Sequence, residues 1–256
     1  MQENDPARAY ESFGDDGPRG ANAFIEDLNN ALDDILSGKQ EPPHSYATLK
    51  RCLRQGRLFA IITARGHAPS TIERGVRTFI ERALTEAERA KMYNSLRKFR
   101  CVFDDVCGET ESEEKLLDDY FKLCHFRGVT YPPYMKKHGL DKLDPRRAPE
   151  EGKKIAIHEF THSCVEQLTA LGKTDIQISV GFSDDDATNV RVAEEFLSTE
   201  LSDEFPELKF VVYDTSDALK VSKKVILSPE KASIKKRRIE CEKTKSNGSK
   251  EAENTP

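Results

Sequence analysis

Three stretches of the chain carry residues whose types and spacing can do chemistry. HEFTH, residues 158–162, sets His158 and His162 four positions apart with Glu159 between them. On a helix that spacing puts both imidazoles on one face, where they can share a zinc ion while the glutamate acts as general base on its water. TARGH, residues 63–67, offers the Thr63 hydroxyl, the Arg65 cation, Gly66 and the His67 imidazole. SDDDATN, residues 183–189, crowds Asp184, Asp185 and Asp186 ahead of Asn189. Adjacent carboxylates repel unless a cation neutralises them, and hard oxygen ligands suit Mg²⁺, which keeps several of its waters. The plainer role for these aspartates is to cap the helix that follows, for which one would suffice.

A zinc site needs a third ligand and histidines aimed into a cleft with partners behind them. Glu194 and Glu195 are the carboxylates on offer downstream, and neither sits in a second motif. The apolar stripe around HEFTH runs through Ile157, Phe160, Cys164 and Leu168, leaving His158 and His162 on its flank. A surface pair is expected there, and zinc is not the expected ion.

The elements that position the other two stretches follow from periodicity. Residues 57–63, RLFAIIT, are a continuous apolar run, the pattern of a strand buried on both faces in a parallel sheet. Beyond it Ile72, Val76, Phe79 and Ala83 recur at helical spacing, and Ser70 with Glu73 matches a capping box. Thr63 to His67 thereby fall at the carboxyl end of a strand, where open α/β sheets bind ligands. Backbone N–H groups at the start of the next helix would suit a phosphate. Residues 175–182, DIQISVGF, and 208–214, LKFVVYD, read as two more strands with a helix between them. Helices are also expected over residues 23–36, 46–55, 113–123 and 150–171, the last closed by Gly172, and from residue 85 with Met92 and Leu96 inward. Residues 101–150, rich in proline and positive charge toward their end, read as a cap-like insertion. From it Arg146 and Arg147 could face an anionic substrate, although solvated positive charge is the plainer expectation.

The fold class expected is α/β, a three-layer Rossmann-like sandwich with a mainly parallel sheet and a partly helical insertion. Of 256 residues, 37% are hydrophobic and 33% charged, which suits flexible ends around a normal core. The division expected is a flexible start over 1–20, one domain over 21–220 and a disordered tail over 221–256. A formal charge of −5 gives no reason to expect nucleic acid as a partner. Six cysteines without a C-x-x-C pair read as free thiols in a reducing compartment. No signal core or long apolar run occurs, so a cytoplasmic protein without a membrane partner is expected. The cluster Lys235, Lys236, Arg237 and Arg238 has the composition of a nuclear-import signal.

FAIITARGH, residues 59–67, and ISVGFSDDDATN, residues 178–189, resemble the second and fourth motifs of the haloacid dehalogenase-like hydrolase superfamily. The resemblance spans residues 57–217. It implies that Thr63 binds a phosphoryl group and that Lys153 or Lys154 stabilises it, as the superfamily's third motif does. It further implies that Asp184 and Asp185, with Asn189 in the second acidic position, hold Mg²⁺. Arg65, Gly66 and His67 would then contact the substrate, a phosphorylated small molecule or phosphoprotein. The first motif, a strand ending in D-x-D-x-T that supplies the aspartate nucleophile, does not appear ahead of Thr63. DLNNAL, residues 27–32, copies its shape at Asp27 but lies in a helical period. DDVC at Asp104 follows no buried strand, and YDTSD at Asp214 comes last in order. Either the nucleophile strand lies upstream and this chain is a truncated, inactive product, or the domain has lost catalysis and kept a binding role. The opening residues read like the interior of a domain, which favours truncation. The rival class is a non-catalytic α/β interaction protein.

Overall fold

Gly56, with φ 59°, ends one helix and turns the chain into the apolar run, yet only the second half of that run becomes strand β1 (Ala60–Thr63). The Arg57 N–H is held by the Cys52 carbonyl, and its own carbonyl accepts the Tyr120 hydroxyl, so the first residues are drawn out of the ladder. The computed structural model describes residues 14–17, 20–103, 112–172, 178–217 and 220–226, apart from the side chains of 99–103 and 220. They form a mixed α/β protein in two units, one reaching Thr174 and one starting at Asp175.

In the first unit α1 (Asn22–Leu36) and α2 (His44–Arg54) precede β1, and α3 (Pro69–Ala83) and α4 (Glu86–Phe103) follow it. The periodic residues Ile72, Val76, Phe79 and Ala83 are all buried on α3, as are Met92 and Leu96 on α4. They meet Leu32, Leu53, Phe59 and, from α5 (Glu113–Leu123), Leu117 and Phe121 in one core. Each such side chain contributes roughly 1.5–3 kcal/mol when fully buried. β2 (His125–Gly128) then pairs parallel with β1, Ala60 opposite His125 and Thr63 opposite Gly128. The stretch read as an insertion therefore supplies the partner of the strand that carries Thr63. HFRG is too short and too polar to read as a strand, and only Phe126 and Gly128 in it are buried. After α6 (Pro132–His138) comes α7 (Ala148–Ala170), which packs on β1 and carries HEFTH. At Gly152 a Cβ would come 2.8 Å from the Val129 side chain, so the helix approaches this closely only through a glycine. Gly172, with φ 64°, follows its end as expected.

In the second unit β3 (Ser179–Asp184), β4 (Lys209–Asp217) and β5 (Lys220–Ile226) form one sheet, β3 parallel and β5 antiparallel to β4. α8 (Ala187–Phe196) packs against β3 and β4 and buries Val190, Ala193 and Phe196. A π-helical turn, Leu197–Leu201, continues it. β5 occupies residues expected to begin the tail. Its KVSKKVI mixes three lysines and a serine with valine and isoleucine, the composition of an edge strand rather than a core one.

Among the described residues the strands fall into two sheets, β1–β2 and β3–β4–β5, where one mainly parallel sheet was expected. β1 is half-buried at every position, although AIIT reads as buried on both faces. No described helix is long and apolar enough to cross a membrane. Residues 173–177, Asp104 with its DDVC stretch, and Lys235 to Arg238 lie outside the described residues.

Candidate functional site

Thr63 ends β1, and its Oγ1 accepts the Arg65 N–H at 3.2 Å, which curls the chain back at the strand's end. The loop that follows is held from several directions. Thr130 donates its hydroxyl to the Ala64 carbonyl at 2.6 Å. The Asp15 N–H donates to the Gly66 carbonyl at 3.2 Å, with Gly14 packed directly on Gly66. The Asp15 carboxylate then takes three donors: His67 Nδ1 at 2.8 Å on Oδ1, and the Ala68 N–H at 2.9 Å and the Thr71 hydroxyl at 2.8 Å on Oδ2. A carboxylate acceptor makes Nδ1 the protonated nitrogen of His67. Burial pushes the Asp15 carboxyl up, but those hydrogen bonds outweigh it and hold the group below its ordinary value.

This geometry revises the expected N-terminus of α3. Ala68, not Ser70, is the N-cap, with Pro69 in the first turn, and Glu73 turns to Arg77 at 2.7 Å instead of closing a capping box. The Ala68 N–H that would suit a phosphate is already bonded to Asp15. Of the three residues assigned to substrate, His67 is 1% exposed beneath the Phe24 ring, and Gly66 is also buried. The Arg65 side chain is 42% exposed and lies 3.7 Å from Asp27 on α1. Asp27 is thus a helical residue, as its period indicated.

Lys153 and Lys154 lie near the start of α7, both half-buried, with Lys154 Nζ 3.7 Å from Glu151. Thr63 and the two lysines therefore belong to one unit, on elements packed together.

Further along α7, His158 and His162 lie on the helix flank, their rings near-parallel at 6.1 Å between centroids. They line a groove of about 330 Å³ with His125 and Arg127 of β2 and with Glu159, Ser163 and Glu166. Glu159 is not placed as a general base for a metal-bound water. Arg127 holds it at 3.3 Å and Lys137 at 3.0 Å. Burial raises its carboxyl, and the two cations outweigh that and bring it below the ordinary value. Among the described residues the His125 Nδ1 and Tyr134 hydroxyl are buried near Glu159 without a hydrogen-bond partner, and His138 Nε2 lies 3.4 Å from Glu159 Oε1.

In the second unit the three aspartates do different work. Asp186 caps α8, accepting the N–H groups of Thr188 at 2.7 Å and Asn189 at 3.2 Å. Asp184 Oδ1 accepts the Asp186 N–H at 2.9 Å and the Asn189 side-chain amide at 3.2 Å, so Asn189 braces Asp184. Asp185 is exposed and takes part in none of these bonds. Asp214 stands opposite Asp184 in the parallel ladder, so the carboxyl ends of two neighbouring strands are acidic. Their donor chemistry, hard carboxylate oxygen, is the kind that Mg²⁺ takes one or two of, completing its shell with water and substrate. Among the described residues no three His, Cys, Asp or Glu side chains converge on a metal position.

Thr63 and the Asp184–Asp186 acids thus stand in different units and different sheets. Asp15 and the His125–Arg127 wall of the groove are not among the residues the sequence singles out. Asp15 lies 52 positions from His67, and no local pattern joins them. Compared with family models, with curated proteins and with solved structures, the chain matches none.

Proposed function

We propose that the chain carries the phosphate-binding and metal-binding portions of a haloacid dehalogenase-like, Mg²⁺-dependent phosphohydrolase, with the nucleophilic aspartate outside the described residues. One observation carries the reading. Two strands, β1 and β3, each belong to a parallel pair, and each runs into a short polar loop and then a helix, with the motif residues at the strand's carboxyl end. Assigning both loops to one reaction rests on the order and spacing of the motifs. The fold that goes with this reading is a three-layer Rossmann-like sandwich. In its support, β1 and β3 each pair parallel with a neighbouring strand.

In this reading the Thr63 hydroxyl holds a phosphoryl oxygen, and Lys153 or Lys154 offsets its negative charge. Asp184, braced by Asn189, and exposed Asp185 would hold Mg²⁺, which supplies charge neutralisation on the phosphoryl oxygens. Positioning groups without a nucleophile give little turnover, so activity depends on where the nucleophilic aspartate lies. A cytoplasmic or nuclear location and a phosphorylated small molecule or phosphoprotein as substrate belong to the same proposal.

The test is hydrolysis of p-nitrophenyl phosphate by this chain and by a version extended with its upstream coding sequence. Mg²⁺-dependent turnover in the extended protein, abolished by Asp185→Asn, supports the proposal. An in-frame stop directly upstream, together with no binding of inorganic phosphate, removes it and leaves the non-catalytic interaction protein standing.

A further inference from the structure

We infer that Asp15 is the positioning residue of the anion-binding loop: it sets the conformation of residues 64–68 in which the Thr63 hydroxyl can hold a phosphoryl oxygen. The inference rests on the phosphohydrolase reading and deepens it.

Surface loops between a strand and a helix ordinarily make few long-range bonds and vary freely. This one is tied down along its length by elements far away in the chain. Thr130 holds the Ala64 carbonyl, and the Asp15 N–H holds the Gly66 carbonyl. The Asp15 side chain holds His67, Ala68 and Thr71. Gly128 of β2 lies beneath the Arg65 and His67 carbonyls, so the loop cannot sink toward the strand. A binding loop needs such support, because a loop held in its productive form loses no ordering entropy when the ligand arrives.

Asp15 also decides where an anion can go. Its carboxylate occupies the N-terminal end of α3, the position where a helix favours negative charge, and it spreads its own charge over three donors. A phosphate is therefore turned away from the helix end toward the Thr63 side of the loop. His67, buried under Phe24, serves as the rigid strut between Asp15 and the loop and does not touch substrate. Removing the carboxylate strands the His67 N–H inside the protein and frees the Ala68 end of the arc at the same time.

The experiment compares the parent chain, Asp15→Ala and Leu117→Ala, the last a core truncation in the same unit away from the loop. Inorganic phosphate is titrated with Mg²⁺ present and followed by amide NMR shifts, and hydrogen exchange is read over residues 64–71. Asp15→Ala should weaken phosphate binding about 10-fold or more, the scale of one lost charge-assisted contact. It should also speed exchange in the loop, while Leu117→Ala lowers thermal stability without either effect. Equal phosphate affinity in the parent and Asp15→Ala overturns the inference and leaves the functional reading intact. No phosphate binding by the parent also overturns the inference, and Asp15 is then only a cap for α3; the functional reading falls with it only where an in-frame stop also stands directly upstream. Equal weakening by Leu117→Ala also overturns it, since stability alone would then explain the loss.

Discussion

Gly128 is the residue on which the clamp around Thr63 can be tested most directly. A Cβ at this position would sit 2.3 Å from the His67 carbonyl oxygen, 2.6 Å from that of Arg65 and 2.9 Å from the His67 nitrogen. All three are backbone atoms, so no rotamer change relieves the overlap in Gly128→Ala. Either β2 slides off β1 or the whole loop rises. Overpacking costs about 1–3 kcal/mol, and a clash with fixed backbone on three sides belongs at the top of that range. Alanine recovers about 0.5–1 kcal/mol, because it has less conformational freedom to lose on folding than glycine. The net cost is about 2 kcal/mol, which lowers the melting temperature of a unit this size by about 4–8 °C. Thermal unfolding by circular dichroism measures it, with Gly181→Ala as the control. There the nearest atom to the new Cβ, on the Tyr213 ring, is 3.4 Å away, an ordinary contact, and the change should be neutral or slightly stabilising. If Gly128→Ala melts with the parent, the loop does not rest on Gly128 and the support drawn around Thr63 is wrong.

Other expectations are narrower. Asp186→Ala removes the side-chain cap of α8 and should cost about 1 kcal/mol in urea denaturation, whereas Asp185→Ala, which caps nothing, should leave the midpoint in place. Arg77 bridges Glu73 and Asp118 at 2.7 and 2.6 Å over the Phe121 ring, so Arg77→Lys should lose about 1 kcal/mol despite keeping its charge; an unchanged midpoint would remove that joint between α3 and α5. Burial above all holds the His125 and His138 imidazoles below the ordinary histidine value. The unfolded chain then takes up protons first as pH falls below about 6.5, so stability present above that value is lost on acidification. Urea midpoints across about pH 5–8 should show that slope, and His125→Gln with His138→Gln should flatten it; a slope unchanged in the double variant assigns it elsewhere. Equilibrium dialysis should find no stoichiometric zinc, and zinc that disappears in His158→Ala would restore the HEFTH site.

Much of the helical framework is legible because its cause is local. A 3.6-residue period fixes which face of α3 is buried, and Gly56 and Gly172 mark the turns after their helices. On α7 the expected stripe holds only at Ile157 and Cys164: Phe160 and Leu168 are half-buried, and the small residues Gly152, Ala156 and Thr161 face inward instead. The strands were less legible where their partners decide them. HFRG becomes β2 only because β1 lies beside it, and KVSKKVI becomes β5 only because β4 does. The candidate site divides the same way. Thr63 and the aspartates announce themselves by type and position, but what each one bonds is set by residues distant in the chain. The two capping boxes make the point sharply. Ser70 with Glu73 and Thr85 with Glu88 match the same pattern, yet only the second closes: the Thr85 N–H reaches Glu88, and the Glu88 N–H reaches Thr85. The first fails because Pro69 has already begun the helix, placing Ser70 inside it, and because Asp15 brings a stronger acceptor to the end of α3. Pro69 was a local signal that outranked the box. Asp15 was not a local signal at all, and only the folded chain brings it to the end of α3.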